Sequence, residues 1–247
     1  MKILHTQTLR GPNYWSIRRP KLIVIRLDLE DLADSPSDTL SGFYDGLVQV
    51  LPSLGEHYCS PGCPGGFLSR VREGTMMGHI VEHVALELQV LSGMSVGFGR
   101  TRETSTPGVY QVVVEYQAAA AGRYAIRAAV RLCQSVVETG TYPEHELQTD
   151  LADLKELRAE AALGATTDAL ASEAEARGIP WMELENCDLF QLGYGKYQKR
   201  VQAALTSFSN VLGVELACDK ERTKAVLESM GAPVPLGELI YSFDELK

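Results

Sequence analysis

Two short runs of the chain alternate in the manner of strands. In KLIVIRLDL (21–29), Ile23, Ile25, Leu27 and Leu29 fall on one face, and in VYQVVVEY (109–116) Tyr110, Val112, Val114 and Tyr116 do the same. Helical spacing dominates elsewhere. TMMGHIVEHVALELQVL, from about Gly74 to Leu91, sets Met77, Ile80, Val84, Leu88 and Leu91 in one stripe. Other helices are predicted over Phe43–Leu51 with Pro52 as the stop, over 123–138 with Gly140 just beyond, and over about 144–160. HYCSPGCPGGF (57–67) and SGMSVGFGRTRETSTPG (92–108) read as loops. After LGATT (163–167) the pattern restarts. A helix over Asp168–Arg177 ends at Gly178, and GIPWMEL and LFQLGYGKYQKRVQAALT read as short strands. Residues 219–230 form a further helix, with Asp219 at its start and Gly231 past its end, and PVPLGELI begins another strand. With no partner after that strand, the chain is expected to stop inside a domain. The expected fold class is α+β: a mixed first domain over 1–160, strands 21–29 and 109–116 pairing against the central helix, and the start of a second domain over 161–247.

The chemistry concentrates in that central helix. His79, Glu82 and His83 spell H-x-x-E-H, and the i, i+4 spacing puts both imidazoles on one face, where they can grip one divalent metal. Glu82 stands beside them, placed to take a proton from a metal-activated water, in the inverted order of the zinc metalloprotease motif. The bland alternative is a core helix whose histidines are satisfied by hydrogen bonds. Catalytic zinc wants three protein ligands, and Cys59 in the preceding loop is the preferred third, with His57, Cys63 and Glu87 as rivals. Arg100, in the Gly-flanked stretch after the helix, can meet a carboxylate bidentately or simply be solvated. Arg123, Arg127 and Arg131 share a helix face, which reads first as a solvated stripe and second as a rail for carboxylates. Gly193, Gly195 and Lys196 match no phosphate-binding spacing, and no G-x-S-x-G elbow supports serine-hydrolase chemistry.

Composition narrows the classes. At 45% hydrophobic and 22% charged residues over 247 positions, disorder is excluded and a self-sufficient core is within reach. No run of about 18 uncharged apolar residues offers a membrane span, and MKILHTQTLRGPNYW lacks the apolar centre of a signal peptide, so a cytoplasmic location is expected. Cys59, Cys63, Cys133, Cys187 and Cys218 are odd in number and scattered, and read as reduced thiols. The net charge of −9 lies wholly after residue 140: residues 1–140 hold 13 Lys and Arg against 13 Asp and Glu, residues 141–247 hold 10 against 19. An acidic chain of this kind is not expected to bind nucleic acid.

Several blocks resemble the N-terminal part of the cyanophycin synthetases: TLRGPNYWSIRR (8–19), FLSRVREGTMMGHIVEHVALELQ (67–89), GFGRTRETSTPGVYQVV (97–113) and AEARGIPWMELE…QLGYGKYQKRVQAALT (174–206). LGVELACDKERTKAVLESMGAPVPLG (212–237) is similar to the beginning of that family's ATP-grasp domain, with Lys220 and Lys224 on its first helix. The resemblance implies a much longer, homo-oligomeric ligase that uses ATP and Mg to build a polymer with an aspartate backbone and an arginine on each side-chain carboxylate. The partners implied are cyanophycin, aspartate, arginine and ATP. Residues 1–247 alone would not polymerise. The family's N-terminal domain holds the polymer, and in some members it cuts polymer into primers at a zinc site. On that resemblance His79, His83 and Cys59 are metal ligands, Glu82 is the general base, and Arg100 grips polymer carboxylates. A binding module with a vestigial HxxEH, and an unrelated metalloprotease, are the other readings.

Overall fold

The two alternating runs lie side by side. In the computed structural model, which describes residues 1–19, 21–59, 62–184, 189–203, 205–237 and 240–246, β1 (Lys2–Leu9), β2 (Leu22–Asp28), β3 (Gly99–Glu103) and β4 (Val109–Glu115) form one antiparallel sheet in the order β1-β2-β4-β3. Ile23 is opposite Val114, Ile25 opposite Val112, and Leu27 opposite Tyr110. Because strand side chains alternate, this register gathers the predicted apolar residues on one face, where Ile23, Ile25, Leu27, Val112 and Val114 join the core. On the other face, Leu22, Val24 and Val113 pack under Trp15 as a small separate cluster.

Among the described residues five α-helices belong to the same unit, Met1–Leu163: α1 (Phe43–Val50), α2 (Gly66–Glu73), α3 (Met77–Leu91), α4 (Ala119–Thr139) and α5 (Glu144–Glu160). This is an α+β fold. The HxxEH helix α3 packs against β3, β4, α4 and α5. Its apolar stripe alone would cover one side, yet His83, Glu82, Glu87 and Gln89 are buried with the stripe. The polar face is therefore an interior face. Groups buried this deeply need partners, because an unpaired buried polar atom costs about 1–3 kcal/mol.

Two stretches beside the HxxEH helix depart from the sequence reading. Residues 99–103, expected in a flexible loop, are the edge strand β3, and so Arg100 stands on a strand. Gly66–Glu73, expected in part as loop, is helix α2. Of the three arginines on α4, Arg131 meets the buried Asp150 of α5 at 2.6 Å and Arg123 donates to Thr8 at 3.2 Å, so the row is neither purely solvated nor free as a rail. Asp150 also accepts from Tyr142 and Tyr124, both at 2.8 Å. Burial and these bonds to a carboxylate push both phenols up. Asp150→Ala removes the acceptor of the buried Tyr142 hydroxyl's proton, so we expect it to cost this unit about 2 kcal/mol. Urea unfolding should give a lower midpoint at unchanged slope.

The second unit, Gly164–Lys247, has α6 (Ala165–Ala176), a meander of β5 (Trp181–Leu184), β6 (Leu189–Leu192), β7 (Lys199–Gln202) and β8 (Leu205–Thr206), then α7 (Val211–Cys218) and α8 (Lys220–Ser229). Asn210 and Asp219 cap the last two helices, accepting from the backbone of Leu212 and Arg222. Gly193 and Gly195 serve the turn between β6 and β7, both with positive φ. The strand expected from PVPLGELI is absent over its described residues, and Cys187 lies outside the described residues. Among the described residues no helix is long and apolar enough to cross a membrane.

Candidate metal centre

The site is assembled at the first turns of α3. Thr75, just ahead of the helix, is fixed by Ser37, whose hydroxyl accepts from the Thr75 backbone N–H at 2.9 Å while donating to the Val71 carbonyl at 2.7 Å. The Thr75 hydroxyl is 3.0 Å from Nδ1 of His79. That leaves Nε2 of His79 facing Cys59, whose Sγ is 3.5 Å away. His83, one turn on, meets His79 edge to face at 4.9 Å between ring centres. Phe67 of α2 stacks on the His83 ring at 4.0 Å and 17°, which holds the imidazole against rotation. One ligand atom from each of Cys59, His79 and His83 falls within a 4.8 Å group.

This donor set fits zinc. A thiol and two imidazoles are the soft and borderline ligands that zinc takes, and three of them leave a fourth position for chemistry. Burial, helped by the Arg70 charge, holds His79 down at about 4. Burial, with His79 and His57 nearby, holds His83 down at about 3. Both imidazoles are therefore neutral at pH 7, with a lone pair available for a metal.

Glu82 is placed differently from an ordinary helix glutamate. Only 5% of it is exposed, and burial pushes its carboxyl up to about 7 against the opposing pull of Thr101 and Arg100. Oε2 lies 2.6 Å from the Thr101 hydroxyl, which is also 3.2 Å from the Gly78 carbonyl. A hydroxyl has one proton. With Glu82 ionised it goes to the carboxylate; with Glu82 protonated the acid donates to Thr101 and the hydroxyl turns to Gly78. Either protonation state is thus satisfied, as a group that takes and returns a proton requires. The carboxylate rests on Gly99 of β3, where an added Cβ would stand 2.4 Å from Oε1. Only glycine leaves that seat open.

An open cleft of about 640 Å³ runs over the cluster, lined by Cys59, His79, Glu82 and His83 and flanked by Tyr58, Tyr110, Arg70 and Arg100. Residues 24–138, which hold every one of these groups, match the cyanophycin synthase-like N-terminal domain. The chain carries that domain. Over all of its 247 residues it is 68% identical to the cyanophycin synthetase of Crocosphaera subtropica, and 66% identical to those of Trichormus variabilis and Synechocystis sp.. It spans about 28% of the length of these relatives.

Within this cyanophycin synthase-like domain the expected site residues divide cleanly. Cys59, His79, His83 and Glu82 come together, and Arg100 borders the same cleft. Two of the rival ligands do not reach it: His57 and Glu87 are joined to each other at 2.5 Å. Cys63, the third rival, is exposed. The sequence reading missed Arg70, Thr101 and Gly99. Arg70 sits on a helix that was not foreseen, and Thr101 and Gly99 on a strand read as loop.

Proposed function

We propose that this chain is the N-terminal region of an ATP-dependent ligase that makes cyanophycin, and that its first unit binds the polymer and hydrolyses it at a zinc centre to supply primers. The observation that carries this reading is the convergence of a Cys-His-His ligand group and a proton-accepting Glu82 in one open cleft. Cys59, His79 and His83 would hold the metal, which supplies Lewis-acid polarisation of the attacking water and of the scissile carbonyl. Glu82 takes the proton from that water as its oxygen bonds to the carbonyl carbon. The C–N bond then breaks, and Glu82 returns the proton to the leaving nitrogen, so that one chain ends in a new carboxylate and the other in a new amine. A carboxyl poised near 7 serves both transfers.

Arg70 and Arg100 border the cleft beside His79 and Glu82 respectively, each close enough to act on its neighbour's charge. In this reading they meet the free carboxylates that a polymer of aspartate and arginine repeats along its length. Arg100→Ala and Arg70→Ala should each raise KM for polymer up to about fivefold, the strength of an exposed ion pair, with little change in kcat.

The second unit is read as the beginning of an ATP-grasp domain, where full-length relatives would use ATP and Mg to add aspartate; arginine addition would need further domains. Its large exposed apolar side chains, Phe208, Leu212, Met230 and Tyr241 among them, support a surface that further polypeptide covers. A cytoplasmic homo-oligomer is the assembly this reading carries.

The test is to incubate the purified chain with cyanophycin, with added zinc or with chelator, and follow polymer length. Shortening that requires the metal supports the hydrolase. Intact polymer beside a zinc-loaded chain overturns it and leaves polymer binding as the function.

A further inference from the structure

Behind the ligand group lies a second, fully polar line of contacts that the hydrolytic chemistry does not use. Nδ1 of His83 is 3.0 Å from Nδ1 of His57, and Nε2 of His57 is 2.5 Å from Oε2 of Glu87. Glu87 is one helical turn beyond His83 on α3 and 3% exposed. His57 comes from the segment that follows Pro52–Glu56 and is half-buried. Two nitrogens 3.0 Å apart share one proton, so one donates and the other accepts. The question is which.

The chain of contacts answers it. Burial alone would raise the Glu87 carboxyl, but the side-chain bonds it accepts from His57 and Ser53 outweigh it and hold the group below its ordinary value. Glu87 is therefore an acceptor only, and the proton between it and His57 belongs to Nε2 of His57. With its one proton held on Nε2 by Glu87, His57 offers its lone pair at Nδ1. In that arrangement the proton in the 3.0 Å contact comes from His83, which carries it on Nδ1 and keeps a bare Nε2. That is the tautomer able to bind a metal through Nε2. The mirror arrangement, with His57 donating at both nitrogens, would leave His83 with a proton on the ligating nitrogen.

We propose that Glu87 and His57 form a two-step relay that fixes His83 as the Nδ1–H tautomer and presents its Nε2 to the cleft. Both are positioning residues, and the consequence for metal binding rests on the reading of His83 as a ligand. His79 has a shorter version of the same device in the Thr75 hydroxyl. Outer groups that orient a metal-binding imidazole typically contribute 10–100-fold to metal affinity.

The experiment has two arms on the whole chain. In the first, metal-free protein labelled with ¹⁵N at histidine is examined by long-range ¹H–¹⁵N correlation at about pH 8, above the ordinary histidine range, with His83 assigned by its loss in His83→Gln. The expected pattern is a protonated Nδ1 and a bare Nε2 on His83. A proton on Nε2 overturns the proposal, and this arm needs no variant that has to fold well. In the second, zinc affinity is measured by competition with a chromogenic chelator. Glu87→Ala and His57→Ala should each lose roughly 10–100-fold, and Glu87→Gln, whose amide oxygen still accepts from His57, should recover most of it. Unchanged affinity in both alanine variants overturns the relay while leaving the zinc centre standing. Wild-type protein with the expected tautomer but no zinc uptake overturns the metal reading and leaves the relay standing.

Discussion

Replacing Glu82 by glutamine is expected to abolish zinc-dependent shortening of cyanophycin while leaving zinc uptake and folding as they are. The substitution keeps the shape of a side chain that is only 5% exposed. The Thr101 hydroxyl, 2.6 Å from Oε2 in the wild type, can still donate to the amide oxygen. The amide likewise rests on Gly99, and it brings no charge into an interior that already pushes the carboxyl up to about 7. What it lacks is basicity. An amide cannot take a proton from water or return one to the leaving nitrogen, and loss of such a group costs roughly 10²–10⁴ in rate. The measurement is polymer length against time at saturating zinc, with metal content and thermal unfolding in parallel. Cutting at the wild-type rate would remove Glu82 from the reaction. Loss of zinc together with cutting would mean that the carboxylate supports the site's structure and not its proton transfers.

How much of this site could be read from the chain depended on what each residue's neighbours were. The H-x-x-E-H spacing is local, so two imidazoles on one helical face followed from it directly. β2 and β4 were legible because their apolar residues alternate against a covered face. β1 and β3 were not: KILHTQTL and GRTRE are edge strands, mostly exposed, and carry almost no apolar alternation. Missing β3 turned Arg100 into a loop residue and hid Thr101 and Gly99, the two residues that seat Glu82. The ordering of ligands posed a different problem. His57 and Cys59 are two residues apart in a single segment, and nothing in their types says which faces the metal. The answer lies in the path of that segment over α3, which sets His57 against Glu87 and Cys59 against His79. The burial of α3 on its polar face was also beyond the sequence, because it comes from β3, Phe67 of α2 and His57 closing over residues that the periodicity assigns to solvent.

Cys59→Ser is expected to lose more zinc affinity than the roughly 10–100-fold that removal of a supporting hydrogen bond costs, since it deletes a direct ligand. A thiol next to a metal ionises readily and gives a soft, charged donor; a serine hydroxyl in the same place does neither. Cys59 Sγ lies 3.5 Å from His79 Nε2. Cys63, four residues on, is exposed and outside the ligand group, so Cys63→Ser serves as the control. Loading the chain with cobalt in place of zinc separates ligand loss from general damage. Wild type and Cys63→Ser should give the intense thiolate-to-metal charge-transfer absorption of a sulfur-bound cobalt, and Cys59→Ser should lose it while keeping the folded chain's circular dichroism. Polymer cutting should fall with the affinity and recover in part as zinc is raised, because His79, His83 and Glu82 remain. A charge-transfer band that survives in Cys59→Ser would remove Cys59 from the ligand set. With His57 and Glu87 bound to each other behind His83, the two histidines of α3 would then have no third protein ligand among the described residues, and the cleft would have to be read as a polymer-binding groove with a two-histidine metal site.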